Sequence, residues 1–571
     1  MSEEKRIYGI DLGTAYSAIA FVNEFNQAEI IPNSDNERVT PSVVFFESPT
    51  NIIVGRVAKE AAKTDPGSVV DFIKRQIGTD YAFHYGDVDY KPEEISSYIL
   101  RRLVEDAKQT TGRDVKDVVI TCPAYFGEAE RNATRLAGEL AGLNVLQILD
   151  EPAAAALYYG MNGRDANQDS CVYNFGDGLE LDDAEGCKSR NAVVYDLGGG
   201  TFDVTVVAID DAEIRIVCSD GDHRLGGKDW DDAIVRYLVS EFENATGLEN
   251  ILDDPETSCD LRYDAEKAKR TLTKRDATKV RVSSGEERLN VEITRERFEE
   301  LTRELVDRTI EFTRSVLETA KTKGVEKIDE FLLVGGSTRM PMIAERVREA
   351  FADSLGCEPQ MLEVDEAVAK GAALFGQCRH IKIALEEKAQ ELVGKSFDEL
   401  NESERQSVVD ETSVEQGVSS DYVLETVKRS ITTVATKSYG VRAKKNGVPV
   451  VRNLIARQTP TPTIGSSVFF TEDADAEYVE LRVFSNNSSD DDAPLEESFE
   501  LGTATLELPP GLPARSKVRV EFELSPEGRL EMTAVEETTN VRIVATFQAD
   551  VGMSEEELAA ARERGRELTI E

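Results

Sequence analysis

The sequence has no uninterrupted apolar run long enough to cross a bilayer, and charged residues precede its first short apolar stretch, MSEEKRIYGIDLG. Neither membrane insertion nor secretion is expected. Its seven cysteines are scattered without any Cys-x-x-Cys spacing, and its three histidines do not cluster. That argues against a disulfide framework or a His/Cys metal cluster, and a reducing cytoplasm fits best. Basic residues are in short supply: 66 Lys and Arg stand against 109 Asp and Glu, a formal net charge of −43. Nucleic-acid binding needs cations to neutralise phosphates, so no nucleic acid is expected as a partner. The acidity reads as a heavily solvated surface.

At 571 residues the chain exceeds the size at which a single core stops growing, so several domains are expected. Two segments share one pattern: IYGIDLGTAYSAIAFV at 7–22 and AVVYDLGGGTFDVTVVAI at 192–209 each read as strand, Asp-Leu-Gly turn, strand. Their separation is about one domain length, which predicts a duplication into two similar lobes. Amphipathic helices are expected over 92–109 and 294–324, and strands alternating with helices imply α/β lobes. After about residue 380 the texture changes. Residues 380–430 are polar, charged and helix-compatible; 431–549 carry short alternating strands with Pro and Gly; 550–571 hold one short helix opened by Ser554 and Glu557 in capping-box spacing. Residues 161–190, with Cys171 and Cys187, and the Asp/Ser loop at 488–492 read as inserted surface loops.

The turns carry the chemistry. Glycine where a side chain would block close approach lets backbone N–H groups surround phosphate oxygens, and Gly13 and Gly198, Gly199 and Gly200 suit that task. Thr14 and Thr201 add hydroxyl donors, and Asp11 and Asp196 are placed to hold a hydrated Mg²⁺ against phosphates. A lone Asp-Leu-Gly is ordinarily just a hairpin turn, but two equivalent copies allow a metal-nucleotide to be clamped from both sides. A third signal, EFLLVGGSTRMP at 330–341, is a buried-type strand followed by Gly335, Gly336 and Ser337 and then a helix, a corner that can cradle a nucleoside.

The ordered series DLGTAYS (11–17), CPAYF (122–126), LDEPAAAALYYG (149–160), DLGGGTFDV (196–204), LGGKDWD (225–231), EKAKRTL (266–272), VGGSTRMP (334–341) and DEAVAKGAA (365–373) resembles the seventy-kilodalton heat-shock chaperone family. The likeness covers 5–378 almost continuously and resumes more weakly over 431–549. It implies a duplicated actin-like (ribonuclease H-like) two-lobed ATPase domain over 1–379, a helical and polar linker insertion over 380–430, and a β-sandwich peptide-binding domain over 431–549. By the same resemblance Thr14 and Thr201 meet the γ-phosphate, Lys74 in FIKRQIG positions the attacking water with help from Asp203, and Asp11, Glu151 and Asp196 are the Mg²⁺-associated carboxylates. Ala15, Tyr16, Gly226 and Gly227 join the nucleotide contacts. Adenosine is expected against Glu266, Lys269, Arg270, Thr273, Gly335, Gly336, Ser337, Arg339 and Asp365. Pro123 and Arg131 match the family's interdomain switch, and Val441, Phe470 and Val479 are the expected peptide pocket.

The implied function is an ATP-dependent chaperone that hydrolyses ATP to ADP, with Mg²⁺ and a K⁺ ion as companions, and couples this to binding of unfolded or extended polypeptide. A J-domain co-chaperone and a nucleotide-exchange factor are the implied partners. The sequence also departs from the family. Position 15 is Ala rather than Thr, 78–91 is short for the family's strands there, the apolar arch over the peptide becomes Lys444, Lys445 and Glu472, and the long helical lid is missing. The family's apolar linker is replaced by a long charged stretch, so weak coupling of nucleotide to peptide is expected unless Ile381, Leu385, Leu392 and Val393 form a stripe that docks on the lobes. Two other functions remain open: a regulator or exchange partner without peptide cycling, and a small-molecule kinase of the same superfold.

Overall fold

The computed structural model describes residues 6–162, 189–210, 213–352, 356–526, 528–547 and 553–571. The proposed loop at 161–190 lies almost wholly outside them. Among the described residues no helix is long and apolar enough to cross a membrane.

Lobe I is built on a sheet whose strands run Asn144–Asp150, Asp117–Cys122, Ile7–Asp11, Tyr16–Val22, Ala28–Ile30, with Thr40–Pro41 attached to Tyr16–Val22. Lobe II repeats the order with Pro359–Met361, Glu330–Val334, Arg190–Leu197, Phe202–Ile209, Glu213–Asp222. In both, the strand before the turn is parallel to one neighbour and antiparallel to the strand after it. The duplication read from the two turns is therefore a duplication of topology. Phe202–Ile209, FDVTVVAI, is buried at every position, the pattern of a strand covered on both faces, with Asp203 and Thr205 enclosed among apolar neighbours.

Two helices seal the lobes against each other. Glu151–Asn162 and Ala367–Leu392 are alanine-rich, and Ala153, Ala154, Ala369, Ala372 and Ala373 are fully buried in one core with strands from both sheets. At Gly371 a Cβ would stand 1.8 Å from the Ala154 carbonyl oxygen, so only glycine permits this approach.

The second of these helices runs straight through residue 380, where a domain boundary was expected. Its far end packs with the helices Glu402–Gln416 and Ser420–Lys428 around Ile381, Leu385, Val408, Val409, Tyr422 and Val423. Thus Ile381 and Leu385 do form a buried stripe, but its cover is this local helical hairpin rather than the lobes, and Leu392 is 49% exposed. The expected charged tether also requires correction. Directly after the hairpin, Ser430–Thr432 pairs in parallel with Glu213–Asp222 and becomes the sixth strand of the lobe II sheet, with Ile431 and Val434 packed on the interlobe core. Three residues of backbone pairing dock a segment whose composition looks polar.

The β domain has a five-stranded sheet ordered Asp492–Pro494, Val448–Ile455, Ser438–Lys445, Tyr478–Asn486, Phe499–Glu507 and a four-stranded sheet ordered Thr463–Phe470, Lys517–Leu524, Leu530–Glu536, Arg542–Phe547. Lys517–Leu524, KVRVEFEL, alternates exposed and buried without exception, the pattern of a sheet with one wet face. This domain rests on both lobes: Lys323 Nζ donates to Gln458 O at 2.8 Å, Gln458 Nε2 donates to Ser219 O at 3.2 Å, and Ala129 of lobe I packs on the β-domain core. The short stretch after residue 78 retains two small strands, Phe83–Tyr85 and Val88–Tyr90. The tail carries the capping-box helix Glu555–Glu567 and, beyond it, a strand, Thr569–Ile570, that composition did not suggest.

Candidate nucleotide-binding site

The ends of the two strand pairs face each other across a cleft of about 550 Å³, within the range of small-molecule sites. Asp11, Gly13, Thr14, Ala15, Tyr16, Lys74 and Glu151 line it from lobe I; Asp196, Gly198, Gly199, Thr201, Gly227, Glu266, Lys269, Arg270, Thr273, Gly335, Gly336, Ser337, Arg339 and Asp365 line it from lobe II. Residues spread over most of the first two-thirds of the chain thus meet in one cavity.

Gly200 and Gly226 lie just outside the lining and touch each other: a Cβ on Gly226 would stand 2.5 Å from the Gly200 carbonyl carbon, and one on Gly200 would stand 2.2 Å from Thr14 Cγ2. Both glycines set how closely the two turns and the helix Gly227–Thr246 approach. Asp203 is also outside the lining. Its oxygens accept from Ala124 N at 2.7 Å and Ser219 Oγ at 2.9 Å, so it anchors the turn after Pro123 instead of presenting a free carboxylate. Burial pushes the Asp203 carboxyl up to about 7 despite those two donors.

At the floor, Lys74 Nζ donates to Glu151 Oε1 at 2.6 Å, both side chains buried. Burial works against the Lys74 charge, but Glu151 and Asp11 outweigh it and hold the ammonium above its usual value. Burial, then the Glu151 and Asp11 charges, push Asp196 up; burial and Glu151 do the same to Asp11, which accepts from Thr121 Oγ1 at 3.2 Å. Buried Glu151 and Asp196 and half-buried Asp11 crowd around one lysine, and their mutual repulsion is what a bound cation would relieve. Among the described residues no three His, Cys, Asp or Glu side chains are placed to share a bare metal ion. That donor set suits Mg²⁺, which keeps several of its waters and is held through them.

The opposite wall is a polar network. Tyr16 Oη donates to Glu266 Oε1 at 3.1 Å, Lys59 Nζ donates to Tyr16 Oη at 3.1 Å and pairs with Glu266, and Arg270 reaches the same two groups. Burial opposes the Glu266 charge, but Lys59 and Arg270 hold its carboxyl below the usual range. Ser337 Oγ donates to Gly198 O at 2.8 Å, tying the Gly-Gly-Ser corner to the second turn, and Lys269 Nζ donates to Gly227 O at 2.7 Å, tying the helix Pro255–Leu272 to the start of Gly227–Thr246. Arg339 pairs with Asp365 at 2.6 Å.

Sequence reasoning missed three contributors. Arg75 crosses from lobe I, donating through Nε to Gly200 O at 2.8 Å and through a terminal nitrogen to Asp229 Oδ2 at 2.7 Å. Phe72 lines the cleft at φ 52°, a strained value for an aromatic residue, and starts the short turn Ile73–Gln76 that aims Lys74 inward. Lys59 had no motif around it. Only the neighbouring Lys74 was a usable signal for Arg75.

The peptide-pocket residues are not brought to one surface. Val441 is fully buried and Val479 partly buried in the β-domain core, whereas Phe470 is 50% exposed beneath Arg515; its neighbour Phe469 faces the core instead. Lys444 Nζ meets Glu472 Oε1 at 2.7 Å, closing the expected arch with an ion pair. Arg131, of the expected switch, is buried, pairs with Asp150 and donates to Phe126 O at 3.0 Å.

Comparison with known proteins agrees with this geometry. The family model described as Hsp70 protein matches residues 7–85 and 81–393. The chaperone protein DnaK of Thermosipho melanesiensis is 34% identical over 566 residues, covering 98% of this chain and 82% of that protein. DnaK of Halobacterium salinarum is 34% identical over 574 residues, 99% of this chain and 78% of its own. DnaK of Thermosipho africanus is 40% identical over 380 residues, a match to 65% of this chain and 59% of that relative. A family model that matches more than half of the chain and identities that span nearly all of it place the chain in the Hsp70 family of ATP-dependent molecular chaperones.

Proposed function

We propose that this chain binds Mg-ATP between its lobes, hydrolyses it by attack of water, and uses nucleotide state to control its hold on unfolded or extended polypeptide in the β domain. The observation that carries the reading is the buried Lys74–Glu151 pair on the floor between two glycine turns. Phosphoryl transfer to water needs compensation of spreading phosphate charge and a positioned in-line water, not a covalent nucleophile. Gly13, Thr14 and Ala15 from one side and Gly198, Gly199 and Thr201 from the other supply backbone and hydroxyl donors for phosphate oxygens. Lys74, fixed by Glu151, positions the water. Asp203 acts one step back, holding the turn after Pro123. Asp11, Glu151 and Asp196 would hold a hydrated Mg²⁺, which when bound offsets phosphate charge; a K⁺ ion beside it belongs to the same reading.

The Tyr16–Glu266–Lys59–Arg270 network, with Gly335, Ser337, Arg339 and Asp365, is assigned to the nucleoside. Family membership supports a cytoplasmic location and partnership with a J-domain co-chaperone and an exchange factor as parts of the same reading. The domain division proposed is lobes, helical hairpin, β domain and tail.

One observation favours the alternative of a regulator without peptide cycling: the Lys444–Glu472 ion pair across the arch. ATP turnover with and without a library of extended peptides separates the two. Turnover that rises with peptide supports the chaperone cycle; turnover indifferent to every peptide supports the regulator.

A further inference from the structure

Residues 393–429 form an excursion that returns to its starting point. Lys382 Nζ donates to the Arg429 carbonyl oxygen, 47 residues on, whereas a flexible chain of that length would hold its ends roughly 40 Å apart. Local signals fix the path. Asn401 caps Glu402–Gln416, its side chain accepting from Glu404 N at 3.0 Å while the Glu404 carboxylate accepts from Asn401 N at 3.0 Å, and Ser419 caps Ser420–Lys428 by accepting from Tyr422 N at 3.1 Å. Both helices close on the far end of Ala367–Leu392 through Ile381, Leu385, Ala389, Val408, Val409 and Val423, none more than 1% exposed. The matched family model ends at residue 393, before these helices begin. They lead into the next strand without a spacer: Lys428 is the last helical residue, Arg429 the turn, and Ser430 already pairs with Glu213 at the lobe II edge. Thr432 Oγ1 then donates to the Glu213 carboxylate, and Ile431 and Val434 enter the interlobe core.

We propose that the hairpin is a clip: its packing on Ala367–Leu392 and the seating of Ser430–Thr432 on lobe II are one cooperative unit, so that the strand leaves the sheet only when the hairpin opens. Three residues of edge pairing are a weak hold at the end of a long loop, because closing that loop costs entropy each time the strand docks. The folded hairpin has closed the loop already, and its buried core is lost or kept together with the strand. With no spacer after Arg429, the strand cannot swing away while the hairpin stays in place. The clip thus sets how firmly the β domain is joined to lobe II, and it does so whether or not ATP is hydrolysed.

The test compares the full-length parent with Val409→Asp, which sets a charge in the hairpin core, with Lys382→Met, which removes only the bond at the neck, and with a variant carrying about six Gly and Ser residues between Arg429 and Ser430, alone and combined with Val409→Asp. Hydrogen exchange is followed over the hairpin helices, over 430–434 and over Arg190–Leu197, and ADP titration confirms that the lobes are intact. In the parent the hairpin and 430–434 are expected to be protected together. Val409→Asp should speed exchange of both by at least about tenfold and Lys382→Met by less, with Arg190–Leu197 at the parent rate; the spacer should speed 430–434 alone, and adding Val409→Asp to it should speed the strand no further. A variant in which Arg190–Leu197 also loosens is set aside in favour of Lys382→Met. The proposal falls if the hairpin exchanges freely in the parent, if neither substitution speeds 430–434, if the hairpin opens while 430–434 keeps the parent rate, or if Val409→Asp speeds the strand as much with the spacer as without it.

Discussion

Lys74 Nζ and Glu151 Oε1 are 2.6 Å apart, and the lysine comes from a strained turn in lobe I while the glutamate opens the helix that packs between the lobes. Replacing Lys74 by Ala is expected to lower ATP turnover ~10²–10⁴-fold with nucleotide binding nearly unchanged, because the lost group acts in the transition state. Steady-state turnover and an ADP titration on the same preparation check it; turnover at the parent rate would remove the lysine from the chemistry.

Arg75 ties the second phosphate turn to the start of the helix Gly227–Thr246 through Gly200 and Asp229. Arg75→Lys cannot make both bonds, since an ammonium lacks the planar fork, and is expected to lower turnover by about tenfold with a smaller effect on ADP affinity. Equal loss in both quantities would show that the arginine serves binding alone.

Gly226 has no room for a methyl group against Gly200. Gly226→Ala is expected to push the phosphate turn out of place and weaken ADP binding by about tenfold or more, read by calorimetric titration of the folded variant. Unchanged affinity would mean that the two segments part without cost.

Burial alone pushes the Glu128 carboxyl up to about 8, and neither of its oxygens has a hydrogen-bond partner. It lines a cavity of about 20 Å³ between lobe I and the β domain, with Arg131 and Tyr439. The folded state therefore holds a proton that the unfolded state releases near the ordinary 4.5. Stability from this group is complete below that value and is lost as pH rises toward 8. The thermal midpoint of the parent should fall between about pH 5 and pH 9 more than that of Glu128→Gln, which stays neutral throughout; parallel curves would contradict the assignment.

Ile431 lies in the strand that joins the β domain to the lobe II sheet. The docked strand offers differential contacts that a solvated tether lacks, so peptide affinity is expected to differ between ADP and ATP by more than tenfold. Ile431→Asp should reduce that ratio toward unity with ATP turnover largely kept. Peptide titration in each nucleotide, with Thr201→Ala to prevent hydrolysis during the measurement, decides it; a ratio near unity already in the otherwise unaltered chain would restore the weak-coupling expectation.

The parts legible from sequence were those whose structure is set locally. The paired Asp-Leu-Gly turns, the Gly-Gly-Ser corner and the alternation in KVRVEFEL each state their geometry within a dozen residues, because turn chemistry and strand periodicity depend on near neighbours. Tertiary structure decided the rest. Phe469 and Phe470 are equally apolar neighbours, and only strand register puts the first inside and the second out. Residues 431–434 read as the opening of the β domain, and only the free edge of Glu213–Asp222 makes Ser430–Thr432 a strand of the lobe II sheet. Arg564 meets Glu94 across 470 residues, and Arg75 meets Gly200 across 125. An edge strand or a buried ion pair is defined by the partner that satisfies its donors and charges, and when that partner lies hundreds of residues away no local pattern records it.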